Sequence, residues 1–388
     1  MIVNHTIVDV RAYHLSHRFR LPPRPQSRGS AVKRDMVLVK LTSSEGVVGY
    51  GESYHGHAPT TVADFVNTTL REAVLGEDVH DVEGISFKVY MRYLIGAGLG
   101  AAVLHALSGL DMALWDVRGK ALGVPAYTLL GGRRREFRAY AGGLNLGFQP
   151  PEELIDEIER LRESHGFTAV KLRLGDTVEN DLLRVERVRE HFGGDLEIMG
   201  DANLGYTYSE VYRLLPGLAD NAVTWLEEPL TRDNIDGYAD MRRRSGVPIA
   251  AGENLYGRLE LKHWLGRRAL DVVQSDCSKT GGVTELKKIG DLAATHQLRF
   301  APHTSHTRLN HAATLHVMSA LPSSYVYEAD ASHDNQFHEE LITAELDVVG
   351  GLVRPPSKPG LGVTVNEDLL DRFAGIGGAA YAVDRRPR

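Results

Sequence analysis

Three acidic residues, Asp201, Glu227 and Glu253, follow one another at intervals of 26 residues. Each closes a short β-rich run: LEIMGDAN (196–203), AVTWLEEP (222–229) and VPIAAGEN (247–254). Carboxylates delivered by separate strands are hard oxygen donors. Three of them suit Mg2+, which keeps octahedral geometry and leaves positions for water and substrate. No Cys/His grouping suggests zinc. Taken singly, each acid reads better as a helix cap or an arginine partner. The matched spacing, on strands that otherwise look buried, is what sets the group apart. Other polar residues end the neighbouring runs: Lys171 and Arg173, Asn203, Asp276, His303 and Glu328.

Elements that could bring these residues together are legible on either side. Eight β-rich runs begin at residues 137, 167, 196, 222, 247, 269, 298 and 324, mostly separated by amphipathic stretches. Repeated βα units with nearly continuous apolar strands make a parallel sheet, and eight of them make a barrel whose catalytic face is the C-terminal end of the strands. An open doubly wound sheet is the competing architecture, but no glycine fingerprint follows an early strand. The first part is different. An alternating strand opens the chain, MVLVKLTSSEGVVGYGES (36–53) reads as a hairpin around Ser43 to Gly46, and a helical pattern runs from Thr60 to about Leu122 with Gly123 as its stop. The expected fold is α/β: a TIM-type (β/α)7β barrel over 133–355, and an α+β cap over 1–132 to which the tail, 356–388, returns.

The chain resembles the mandelate racemase family of the enolase superfamily. The matching segments are K-L-R (171–173), G-D-A-N (200–203), W-L-E-E-P (225–229), G-E-N (252–254), S-D-C-S-K-T-G-G-V (275–283) and A-P-H-T (301–304). L-D-M-A-L-W-D-V-R-G-K (110–120), L-L-G-G (129–132) and P-G-L-G-V (359–363) extend the match over essentially the whole chain. The resemblance implies that Asp201, Glu227 and Glu253 bind one Mg2+, which holds the substrate carboxylate and stabilises the enediolate left by loss of the α-proton. A Lys or His base beside Mg2+ is a known pattern of such sites. Asp276 and His303, 27 residues apart, stand at the family spacing of an orienting acid and its histidine base. Taken alone, each of the two reads equally as a loop or salt-bridge residue. Lys279 would tune charge near the site or serve the structure. The family often carries Lys-x-Lys on the second strand. Here the pair is Lys171 and Arg173, on the same side of the strand. Arginine stays protonated and is a poor base. Chemistry on one face of the carbon, by His303, favours loss of a β-hydroxyl from an acid sugar, giving a 2-keto-3-deoxy acid. Racemisation or epimerisation, with Lys171 as second base, is the alternative, and a non-catalytic protein that keeps the fold is the third class. Lys171 would lean over the substrate carboxylate, with Asn203 and Glu328 near its oxygens.

Between Arg11 and Arg34 there are seven Lys/Arg and no acid. Arg18, Arg20, Arg24 and Arg28 fall in or beside a Pro/Ser-rich loop at the family's lid position, and His55 sits in a second loop (51–60). A basic lid suits a polyhydroxy acid or diacid; a solvated or oligomer-facing surface explains the charges equally well. The net charge of −7 argues against nucleic acid, and the single cysteine, Cys277, excludes an internal disulfide. With no signal-like or membrane-spanning run, a cytoplasmic enzyme acting on a small carboxylate is expected, assembled as a homo-oligomer, dimer to octamer.

Overall fold

The computed structural model describes residues 5–21, 23, 25–27, 29–304 and 307–382. Strand β1 (Ile7–Arg18) pairs antiparallel with β2 (Lys33–Ser43), which pairs with β3 (Val48–Ser53). The expected hairpin is there, beginning three residues earlier than its apolar pattern. The sheet packs on α1 (Ala101–Leu122). A Cβ on Gly51 would collide with the carbonyl of Gly109, so this close crossing needs glycine. Helix α1 ends at Gly123, left-handed at φ 70°, as its sequence predicts. The helical stretch expected from Thr60 to about Leu122 is interrupted over 75–81 and 96–100. Gly76, Gly98 and Gly100 all take positive φ, and the first break is used to bond β1 through Gly76 N–H to Ile7 O and Ile7 N–H to Glu77 O.

Eight parallel strands alternate with seven helices: β4 (Phe137–Gly142), α2 (Pro151–His165), β5 (Ala169–Arg173), α3 (Val178–Phe192), β6 (Glu197–Asp201), α4 (Tyr208–Asp220), β7 (Leu226–Glu227), α5 (Ile235–Arg244), β8 (Ile249–Ala251), α6 (Arg258–Gly266), β9 (Val272–Val273), α7 (Gly282–Thr295), β10 (Arg299–Phe300), α8 (Arg308–Ser319) and β11 (Tyr327–Asp330). Sheet order runs from β10 down to β4 and on to β11. The curl is completed by a parallel bridge between Phe300 and Ser324, with Tyr325 N–H donating to Phe300 O at 2.8 Å. Inside lies one apolar layer: Tyr140, Ala169, Met199, Trp225, Ala250, Val272, Ala301 and Val326. Each comes from, or lies directly beside, a different strand, as a filled barrel interior requires. All eight sequence-read strands are present. Several keep only two or three ladder residues, because their polar ends leave the sheet to build the mouth of the barrel.

The tail folds back. Val363–Val365 pairs with Ile342–Ala344, Tyr381–Ala382 pairs with Ser30–Ala31, and Ser16 N–H donates to Phe373 O at 2.7 Å. Among the described residues no helix is long and apolar enough to cross a membrane.

Candidate active site

Register sets the acids side by side. Arg173 pairs with Asp201 across β5 and β6, and Asp201 with Glu227 across β6 and β7. Glu253 follows β8, the next strand. All three carboxylates are buried. Cations compensate them. The Lys171 ammonium lies 3.1 Å from Glu227, 3.6 Å from Asp201 and 2.8 Å from Glu328. The Arg173 guanidinium bonds Asp201 and donates twice to the carbonyl of Gly143, at 3.0 and 2.8 Å. Lys279 lies 3.2 Å from Glu253. Burial alone would favour neutral lysine, but the surrounding carboxylates hold Lys171 protonated well beyond its ordinary range.

His303 joins the other side. Its Nδ1 lies 2.6 Å from Asp276 Oδ2 and its Nε2 lies 2.7 Å from Glu253 Oε2. Asp276 is itself fixed, accepting from Ser278 N–H (2.6 Å), the Ser278 hydroxyl (2.7 Å) and Asn310 Nδ2 (2.8 Å). Burial opposes a charge on His303, but Glu253 and then Glu328 overcome it and push the imidazole up to about 10. Glu253 is thus the main reason the ring holds its proton. If Glu253 turns to another cation, that pull weakens and Nε2 returns toward the range of a working base.

The donor chemistry fits Mg2+: three carboxylates, no competing sulfur or imidazole ligand among them, and a charge density strong enough to gather four protein cations. Among the described residues no group of three acid, His or Cys side chains is drawn together closely enough to hold an ion as it stands. The reason is visible. Arg173 engages Asp201, Lys171 engages Glu227, and His303 engages Glu253.

A solvent-open cleft, with about 90 Å3 of free space for water-sized groups, lies between the barrel mouth and the cap. Arg173, Asn203, Glu253, Lys279, His303, Glu328 and His55 line it. Lys171, Asp201, Glu227 and Asp276 stand directly behind that lining, bonded to it or to one another. Sequence reasoning misses several participants. Gln274 Nε2 donates to Glu227 at 2.7 Å, and Thr304 Oγ1 donates to the Glu328 carbonyl at 2.7 Å. Glu228, pushed up by burial and by Glu253, accepts from Asn254 Nδ2 at 2.6 Å. Glu228 was readable as the second acid of W-L-E-E-P; Gln274 and Asn310 carry no local signal.

Of the four arginines expected to reach the substrate, Arg18 and Arg20 are described, and neither lines the cavity. Arg18 is exposed and absent from the cavity wall. Arg20 spends its guanidinium on Glu339 (3.2 Å) and Glu340 (2.9 Å), and its N–H on Asp334. Acids from the far end of the chain, invisible in a local charge count, neutralise it. Arg24 and Arg28 lie outside the described residues. Arg20→Ala should therefore leave kcat/KM within about twofold, as for an exposed ion pair. A loss above tenfold in steady-state assays would return Arg20 to the site.

Comparison with known proteins agrees with this architecture. Residues 8–131 match the family model described as mandelate racemase / muconate lactonizing enzyme, N-terminal domain, and residues 153–369 match the one described as enolase C-terminal domain-like. The chain belongs to the mandelate racemase / muconate lactonizing enzyme family of the enolase superfamily, and it is an enzyme. A D-galactarolactone cycloisomerase of Agrobacterium fabrum is 35% identical, over 95% of this chain and 98% of its own length. An arabinonate dehydratase of Saccharolobus solfataricus is 32% identical, over 87% and 90%. A racemase of Streptomyces coelicolor, crystallised with bound magnesium, superimposes with a TM-score of 0.87 at 29% identity, covering 95% of this chain and 99% of its own.

Proposed function

We propose that the protein removes the α-proton of an acid sugar and expels the β-hydroxyl, giving a 2-keto-3-deoxy acid. The observation that carries this is the asymmetry of the site. One imidazole, backed by a fixed carboxylate, reaches the cavity. Across from it stands Arg173, on the strand position where the family often carries a lysine base, beside Lys171. A racemase needs a working base on each face of the carbon, and a guanidinium stays protonated and is a poor base. An elimination needs one base and a route for the leaving oxygen.

Asp201, Glu227 and Glu253 would hold Mg2+, which when bound supplies positive charge to the substrate carboxylate as its α-carbon gives up the proton. The rest falls to the chain. Asp276 fixes the ring of His303 so that Nε2 faces the substrate. Nε2 takes the α-proton, and the imidazolium so formed is the nearest acid for the departing hydroxyl. Arg173, fixed by two hydrogen bonds to Gly143 O, holds Asp201 in place, and Lys171 pulls Glu227 and Glu328 toward the ionised form.

The cycloisomerase relative favours a second reading that shares the first step. A lactone whose ring oxygen lies β to a free carboxylate undergoes the same elimination, with the ring oxygen leaving in place of hydroxide. Purified protein with Mg2+ would be screened against aldonates, aldarates and aldarolactones, with semicarbazone absorbance reporting 2-keto acids. The expected result is keto acid from one or a few stereoisomers. A panel with no keto acid, but with epimerised substrate, would replace elimination by racemisation.

A further inference from the structure

The basic run contains a cation that the lid reading passes over. Arg34, at the start of β2, is 6% exposed and lines the cavity. Its Nη1 lies 3.3 Å from Asp330 Oδ2. Its Nε and Nη2 are sealed from solvent and have no hydrogen-bond partner. Buried donors on a charged group are costly to leave unmet. These two nitrogens share the side edge of the guanidinium, the pair that meets both oxygens of a carboxylate in parallel.

Asp330 cannot satisfy them. It is committed to Asn335 Nδ2 (2.8 Å) and Ser332 N–H (3.0 Å), and it meets Arg34 at the opposite edge. The guanidinium lies over the Phe19 ring at 5.9 Å, and Phe19 lines the same cavity. Lys33, next in the run, is already neutralised by Asp35 at 3.0 Å and bonded to the carbonyl of Ile376. Arg34 is anchored on one edge and unpartnered on the other.

Strand β11 carries the anchor of Arg34 and that of Lys171. Glu328, which bonds Lys171 beside the acid row, and Asp330, which bonds Arg34, are two residues apart on the same face of that strand, about 7 Å. That is the length of a sugar-acid chain. We infer that Arg34 forms a subsite for a second carboxylate, at the far end of the substrate, so that the preferred substrate is an aldaric diacid and not an aldonic monoacid. A hydroxyl offers one oxygen to a fork that presents two donors. The inference rests on the sugar-acid reading of the site.

The test uses hexarates and hexonates matched in configuration, with Mg2+, on the wild type, Arg34→Met and Arg34→Lys. In the wild type the best hexarate should exceed its matched hexonate in kcat/KM by about 100-fold. Arg34→Met should collapse that ratio toward one, mainly through KM, because the distal carboxylate does not change charge in the reaction. Arg34→Lys keeps a cation beside Asp330 and guards against misfolding; it should recover only part of the ratio, since an ammonium lacks the fork. Calorimetric Kd values for the same pairs give a readout independent of turnover. A wild type that prefers hexonates, or variants that lower both classes equally with unchanged melting, would overturn the subsite. Should no acid be turned over, the elimination reading fails separately. The binding data then decide: hexarate affinity lost in Arg34→Met supports the subsite, and hexarates that do not bind, or bind the variant unchanged, overturn it.

Discussion

His303→Asn should lower kcat by about 10³-fold or more, the range lost when a positioned base is removed, while Mg2+ binding survives within a few-fold. The two effects separate because His303 touches both a proposed ligand, Glu253, and its own orienter, Asp276. Removing the ring frees Glu253 and leaves Asp276 with three other donors, from Ser278 and Asn310. All three meet Oδ1, while Oδ2 loses the His303 contact, for which the amide of the replacing asparagine is the substitute donor. Single-turnover kinetics and Mg2+ calorimetry on the same preparation check both halves. If kcat stays near the wild-type value, another group moves the proton, and Lys171 is next in line despite the carboxylates that hold it charged.

The second large effect is expected from metal removal. Dialysis against EDTA should bring turnover below detection, and Mg2+ should restore it. Glu227→Gln should not be restorable at any practical Mg2+ concentration. Glu227 stands at the centre of the acid row, bonded to Lys171 and Gln274, and burial and the neighbouring Asp201 push its carboxyl upward. A group so placed is stabilised by any added cation, so Mg2+ should also raise the melting temperature in proportion to the logarithm of its concentration above Kd. Full activity after exhaustive chelation would remove Mg2+ from the account.

Much of this arrangement could be read from the chain because its signals are local. Asp201, Glu227 and Glu253 each close an apolar run, and equal spacing of βα units turns that repetition into convergence on one barrel end. The Asp276–His303 contact became legible only through family spacing, since nothing within either segment points to the other. The partners of Arg20 could not be read locally: Asp334, Glu339 and Glu340 are more than 300 residues away, and a count of nearby charges cannot see them. Arg34 lies in the same run and faces the cavity instead. Strand periodicity does not reveal which of two basic side chains will find an acid from β11. The breaks after Val74 and Ile95 were hidden by helix-favouring residues on both sides of glycines whose positive φ only the packed structure requires.

The measurement that bears most directly on the central claim is proton NMR in D2O, with Mg2+ and an acid sugar that the protein turns over. One base on one face, followed by β-elimination, predicts a 2-keto-3-deoxy acid carrying one solvent deuterium at C3, while recovered substrate keeps its configuration at C2. Deuterium appearing at C2 in both epimers, with no keto acid formed, would contradict the account and assign the site to racemisation.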